Sequence, residues 1–209
     1  AGVYAFSRVF TGRRAARYAA FGAALLPSIY LTAHNFGQLP TLFSGLLVLF
    51  GTAALASFLR SGSRLEGLLA ISLFVTAAAG HHASLMFGAC LAGAVLVHAG
   101  QSGGRGWLRT GLRFALFALP AALLSLAVVW PFWEWGRGQS LQAPIDHLSR
   151  HNFIQDPFAA VLFFLPMYGL LIPFLPLAMR TGFRRRRRPL GTAFLLLFLL
   201  GLGDTTPLP

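Results

Sequence analysis

The sequence predicts an all-α fold, a polytopic transmembrane helical bundle of about seven spans plus the end of an earlier helix. Three observations predict it. Hydrophobic residues make up 56% of the 209-residue chain and charged residues only 11%, against roughly 25% charge in an average soluble domain. Too little polar surface remains to coat a soluble globule of this size. Second, apolar runs approach the roughly 20 residues that a helix needs to cross a hydrocarbon core of about 30 Å, and none alternates like a barrel strand. Third, the arginines gather in alternate connections between those runs.

Taken in order, the elements lie between charged or Gly/Pro breaks. Residues 1–10 read as the tail of an earlier helix, and the expected spans are then 15–33, 41–59, 67–80, 83–99, 109–133, 158–180 and 190–203. The run 67–80 is short, about 21 Å at 1.5 Å per residue. Neighbours or a thinned bilayer would have to shelter it, or 67–99 is a re-entrant pair. Pro27, Pro120, Pro131, Pro166, Pro173 and Pro176 fall inside these runs. Each removes a backbone donor and is expected to kink its helix, which bundles tolerate when neighbours satisfy the freed carbonyls. Small residues in GAALL, GACLAGA and SGLLVLFG would let helices approach closely. No repeat and no separate soluble domain is visible, so 1–209 reads as one transmembrane domain, an internal piece of a longer protein. Cys90, the single cysteine, lies in an apolar run and reads as a packing residue.

The 17 basic residues are all arginine, and the formal net charge is +12. Fifteen of them fall in alternate connections, at Arg8 to Arg17, Arg60 and Arg64, Arg105 to Arg113, and Arg180 to Arg188. The positive-inside rule makes that side cytoplasmic. The run Arg184 to Arg188 resembles a nucleic-acid patch, but it sits between two apolar segments, so no nucleic-acid partner is expected. The opposite side holds HNFGQLP (34–40), the His81–His82 turn, the connection 134–157 and DTTPLP (204–209), with four of the five acidic residues and five of the six histidines. Histidine in AAAGHHASLM is therefore expected at an outward turn and not in mid-membrane.

Chemistry is expected on this histidine-bearing side. Glu134, Asp146 and Asp156 are candidate catalytic carboxylates, and His81 and His82 are candidate acids, bases or site-lining groups. Neighbouring helical positions point about 100° apart, so both imidazoles share one small site only if the turn is irregular. Arg137 and Arg150 depart from the arginine pattern and are candidates to grip a phosphate bidentately; pairing with Glu134, Asp146 or lipid headgroups is the plainer reading. His147 and His151 are four apart, a spacing that suits two metal ligands on one helical face. The Glu of an HExxH motif is absent, so a divalent metal is only an open option and a solvated surface helix the simpler account. His34–Asn35 raises the same choice. WPFWEW (130–135) reads first as an aromatic belt at headgroup level and second as a sugar-stacking platform. No Walker loop, GxSxG or dinucleotide fingerprint is present.

The stretch AFSRVFTGRRAARYAAFGAALLPSIYLTAHNFGQLPTLFSGLLVLFG, with AAAGHHASLM and LLFLLGLGDTTPLP, resembles bacterial multi-pass membrane proteins of GT-C-like glycosyltransferase architecture. In particular it is similar to the membrane family labelled 6-pyruvoyl-tetrahydropterin-synthase-related. The resemblance implies a bacterial inner-membrane transferase that moves a sugar from a polyprenyl-phosphate donor at the outer face. It also implies a critical acidic residue in a first outward loop, expected upstream of Ala1; none of Glu134, Asp146 and Asp156 matches that motif. The label's pterin chemistry does not follow. Two other classes stay open: a transporter or flippase for lipid-linked or anionic solutes, and a non-catalytic membrane scaffold. Few mid-span charges and no inverted repeat argue against the former.

Overall fold

The computed structural model describes residues 1–34, 39–102, 106–138, 158, 165, 169–182 and 188–200, and these are helical with short connections. The helices are α1 (Gly2–Phe10), α2 (Arg13–Ala24), α3 (Pro27–His34), α4 (Leu39–Ser61), α5 (Arg64–Gly80), α6 (Ser84–Ser102) and α7 (Trp107–Gly138). A 3-10 helix (Gly169–Phe174), α8 (Leu175–Gly182) and α9 (Arg188–Leu200) follow. Among the described residues, three are long and apolar enough to cross a membrane: Leu39–Ser61, Ser84–Gln101 and Trp107–Trp135. The chain is a membrane protein by that measure.

The expected spans 41–59 and 109–133 lie inside α4 and α7, and 83–99 matches α6 but for its first residue, which belongs to the turn. The short run 67–80 gains a turn at its start, giving α5 17 residues and a length of about 25 Å. The run 15–33 is not one helix. Pro27 has no N–H to give and disfavours helical geometry in the residue before it, so α2 closes at Leu25 and Pro27 opens α3 as its first residue. Proline suits that position because the first N–H of a helix has no partner anyway. The Leu25 and Leu26 amides tighten onto Gly22 and Ala23, and the Tyr30 hydroxyl donates to the Ala24 carbonyl at 3.0 Å. In contrast, Pro120 and Pro131 sit inside α7. The run 158–180 is in part a 3-10 helix holding Pro173, followed by α8 with Pro176 near its start.

Helix α4 is the axis of the bundle. It packs along α5, α6 and α1, while α7 packs chiefly on α5 and α9 on α6. Phe74 of α5 locks three of these together. Its ring lies against Gly51 of α4 and Gly88 of α6, where an added Cβ would come within 2.7 and 2.8 Å of the ring. Phe117 of α7 meets it edge-on at 5.2 Å. The small residues of SGLLVLFG and GACLAGA thus work as expected at Gly51 and Gly88. Gly22 of GAALL does not, since nothing lies within 4 Å of its would-be Cβ.

The tertiary contacts sort the helix termini into two ends. At one end, Arg113 of α7 donates from Nη1 to the Leu59 and Arg60 carbonyls at 2.9 and 3.2 Å, where α4 stops. Phe10 at the close of α1 meets the His98 ring at a tilt, with centroids 4.9 Å apart, and Trp107 lies over Gly100. Arg8, Arg60, Arg64, Arg109 and Arg113 belong to this end. At the other, the α5–α6 turn meets the last turns of α7 through His82 and Phe132, with ring centroids 6.1 Å apart.

Candidate functional site

The histidine end is built from a helix break and a helix start. Helix α5 stops at Gly80, and His81 takes an extended conformation (φ −162°, ψ 104°). Helix α6 resumes at Ser84, whose hydroxyl donates to the His81 carbonyl at 2.6 Å and the Ala77 carbonyl at 3.0 Å. The irregular turn overcomes the 100° divergence of neighbouring helical positions. The His81 and His82 rings stack with centroids 5.7 Å apart and planes 11° apart. His82 is exposed and also faces Phe132. Aromatic residues surround this corner. Trp130 meets Trp133 edge-on at 5.6 Å, Phe132 faces Trp135 at 6.4 Å, and all three tryptophans are exposed.

Beside this turn a hollow of about 240 Å³ opens between α5, α6 and α7. Its lining is apolar except for Ser125, and includes Phe74, Leu85, Ala89, Phe117, Ala118 and Ala122. It exists because α6 is drawn onto α4 and α7 onto α5, so that α6 and α7 touch each other little. Leu85 lines it from the first turn of α6, and its amide donates to the His82 carbonyl at 3.0 Å. The imidazole pair therefore sits about one helical turn from the hollow. No ionisable side chain lines it among the described residues.

Among the sequence candidates, the structure brings together His81, His82 and the aromatic run of α7. Glu134 is exposed in the same final turns of α7. Arg137 is placed only as a position in that helix. His34 ends α3, exposed. Asp146, His147, Arg150, His151 and Asp156 lie outside the described residues, so neither the phosphate pair nor the two-histidine metal site is brought into view. Among the described residues no three His, Cys, Asp or Glu side chains gather in a form that could hold a metal ion.

Several working residues escaped the sequence reading. Ser57 and Ser61 of α4 both donate to the Glu66 carboxylate of α5. The Ser57 bond above all, then the Ser61 bond, hold that carboxyl below its ordinary 4.5; burial opposes them, and the Arg60 charge adds a lesser lowering. The pattern Ser63-x-x-Glu66 is a capping-box signature, which would have drawn attention to Glu66 but to the wrong partner, since Ser63 makes no side-chain cap. Ser44 is fully buried against Gly80, and its hydroxyl has no hydrogen-bond partner among the described residues. Arg113 as a clamp had no sequence signal, because its acceptors are backbone carbonyls 53 and 54 residues away. Compared with family models, with curated proteins and with solved structures, the chain matches none.

Proposed function

We propose that the chain is a multi-pass inner-membrane protein with its arginine-rich end in the cytoplasm and its histidine end outward, working there as a GT-C-like transferase on a sugar carried by a polyprenyl phosphate. The observation that supports this reading is the apolar hollow beside the stacked imidazoles. A lipid-linked sugar phosphate is an amphiphile with a long apolar chain and an anionic head. The hollow offers the chain an apolar bed, and His81 and His82 offer ring N–H donors about one turn away. In the transfer, the acceptor hydroxyl oxygen bonds to the anomeric carbon as the bond from that carbon to the phosphate oxygen breaks. The electron pair leaves with the polyprenyl phosphate. The hydroxyl proton passes to a base, for which Glu134, Asp146, Asp156 and the two histidines are the candidates. Arg137 and Arg150 would steady the charge growing on the leaving phosphate.

A path for a polar or ionic solute calls for polar residues deep in the bundle. The hollow's lining counts against that reading, and no observation favours a scaffold. The deciding experiment reconstitutes the full-length protein in vesicles with a polyprenyl-phosphate sugar and follows both sugar transfer and solute uptake. Transfer that falls when Ala122→Trp fills the hollow, and again when Arg137→Ala and Arg150→Ala are combined, supports the reading. Uptake without transfer would sink it, and full transfer by the double arginine variant would remove both arginines from the mechanism.

A further inference from the structure

At the arginine-rich end, helix α2 stands apart from the bundle. It packs chiefly on α1, and Ala16 is its one buried residue. Arg13, Arg14 and Arg17 on its first turns are all exposed, and Arg8 at the close of α1 turns its guanidinium to the Thr11 carbonyl in the corner between the two helices, at 3.1 Å. Farther along come Tyr18 and Phe21 of α2 and Leu25, the residue that caps it, exposed at 65, 67 and 60%. At 100° per residue, the three α2 arginines and these three apolar residues fall within about 140° of the helix circumference. One face thus carries guanidinium groups first and apolar groups after them, with Arg14 lying 6.0 Å from the Tyr18 ring centroid.

Among the described residues the corner has no internal counter-ion. The acidic residues among those described are Glu66, held by Ser57 and Ser61, and Glu134 at the opposite end. A compensating negative charge has to come from outside the described chain. We propose that the α1–α2 corner binds an anionic phospholipid, its phosphate held by Arg8, Arg13, Arg14 and Arg17 and its acyl chains laid along Tyr18, Phe21 and Leu25. Charge complementarity selects an anion, and the apolar half of the same face selects one with hydrocarbon attached, which a soluble polyanion lacks. Guanidinium suits the role because its planar fork matches two phosphate oxygens. The inference needs only a membrane location and stands apart from any transferase activity.

The test uses the full-length protein in nanodiscs, comparing retention of phosphatidylglycerol with phosphatidylcholine by native mass spectrometry. Wild type retains phosphatidylglycerol preferentially, and the preference falls steeply as salt rises. Basic residues at a charged surface contribute about fivefold each in affinity, so R13A/R14A/R17A weakens retention about a hundredfold. R64A/R109A, which removes two exposed arginines of the same end outside the corner, changes it little. R13K/R14K/R17K keeps the charge and the helix and stays within about tenfold of wild type, which separates lost charge from a damaged fold. Equal retention of the two lipids, salt-insensitive retention, an unaffected alanine variant, equal losses in R13A/R14A/R17A and R64A/R109A, or a lysine variant as weak as the alanine one would each overturn the proposal. So would displacement of the lipid by a short oligonucleotide at low concentration.

Discussion

Replacing Gly62 and Arg113, singly and together, tests how the bundle is closed at its arginine-rich end. Gly62 ends α4 with φ 79°, and its amide donates to the Phe58 carbonyl at 2.8 Å, a left-handed cap. Arg113 covers the next two carbonyls, those of Leu59 and Arg60. A Cβ on Gly62 would fall on the Arg113 guanidinium. Arg113→Ala loses charge-assisted hydrogen bonds, and because the group is only partly buried the loss is about 1.5 kcal/mol, the low end for such bonds. Gly62→Ala forces an L-residue into the left-handed region, which costs about 1–2 kcal/mol. It also pushes the guanidinium off its carbonyls. That side chain is flexible and moves without much steric cost, so the added loss is the clamp itself. Gly62→Ala then destabilises by about 3 kcal/mol in total. With Arg113 already removed, adding Gly62→Ala costs only the backbone strain. The double variant is therefore as stable as Gly62→Ala alone, and the cycle shows a coupling of about 1.5 kcal/mol. Equilibrium unfolding in mixed micelles, followed by far-UV circular dichroism, gives the four free energies. Additive effects within about 0.4 kcal/mol would refute the reasoning, because the clamp would then not depend on the bare Cα at position 62.

Three further outcomes follow from the packing. Ser44→Ala removes a buried hydroxyl that has no partner among the described residues, and with it the atom nearest Gly80; the melting temperature stays level or rises, by the equivalent of up to about 1 kcal/mol, and a clear fall would mean that Ser44 has a partner. Gly88→Val drives two methyl groups at the Phe74 ring, so it lowers stability by about 1–3 kcal/mol, whereas Gly93→Val at an open position serves as the control with little effect. Glu66→Gln carries a pH signature. The Glu66 carboxyl is held below 4.5 in the fold, so its stabilising contribution is present above that value and is lost as pH falls through the lower folded value. The melting-temperature gap between wild type and Glu66→Gln is widest at neutral pH and closes in acid; a gap independent of pH would contradict the assigned bonds.

The fold was legible where one-dimensional signals act alone. Apolar length marked α4, α6 and α7, and the arginine rhythm grouped Arg60 with Arg113, whose side chain reaches the Leu59 and Arg60 carbonyls where α4 stops. The rhythm at that end was less informative about α2, because a polar-then-apolar stretch suits a crossing helix and a detached amphipathic one equally well. Only Pro27 could have split 15–33, and proline has two meanings, an interior kink or a first helical residue. Pro120 lies inside α7 whereas Pro27 opens α3, and the local sequence does not say which of the two places a proline takes. The histidine turn was legible as a turn, since a polar pair interrupts two apolar runs. Ring stacking was not, because it depends on the extended backbone of His81 and on Phe132, 50 residues on.

The hollow shows how a candidate site can arise from a packing conflict and not from a motif. Helix α6 follows α5 in the chain, yet it leans on α4 and α9; α7 follows α6, yet it leans on α5. Phe74 is the reason both preferences hold at once. Its ring fills the approach made by Gly51 and Gly88, which draws α4 and α6 toward α5 at that level, and its edge contact with Phe117 holds α7 on its other side. Beyond the ring, the facing residues of α6 and α7 are chiefly Ala89, Ala92, Ala118, Ala121 and Ala122, too small to close the space that two diverging helices leave. Larger residues there would fill the gap and make α6 and α7 neighbours, as their short connection would otherwise favour. A run of alanines opposite alanines in sequential helices, next to a phenylalanine seated on glycines, is thus a pattern that leaves room for a guest, and it carries no polar signature for a motif search to find.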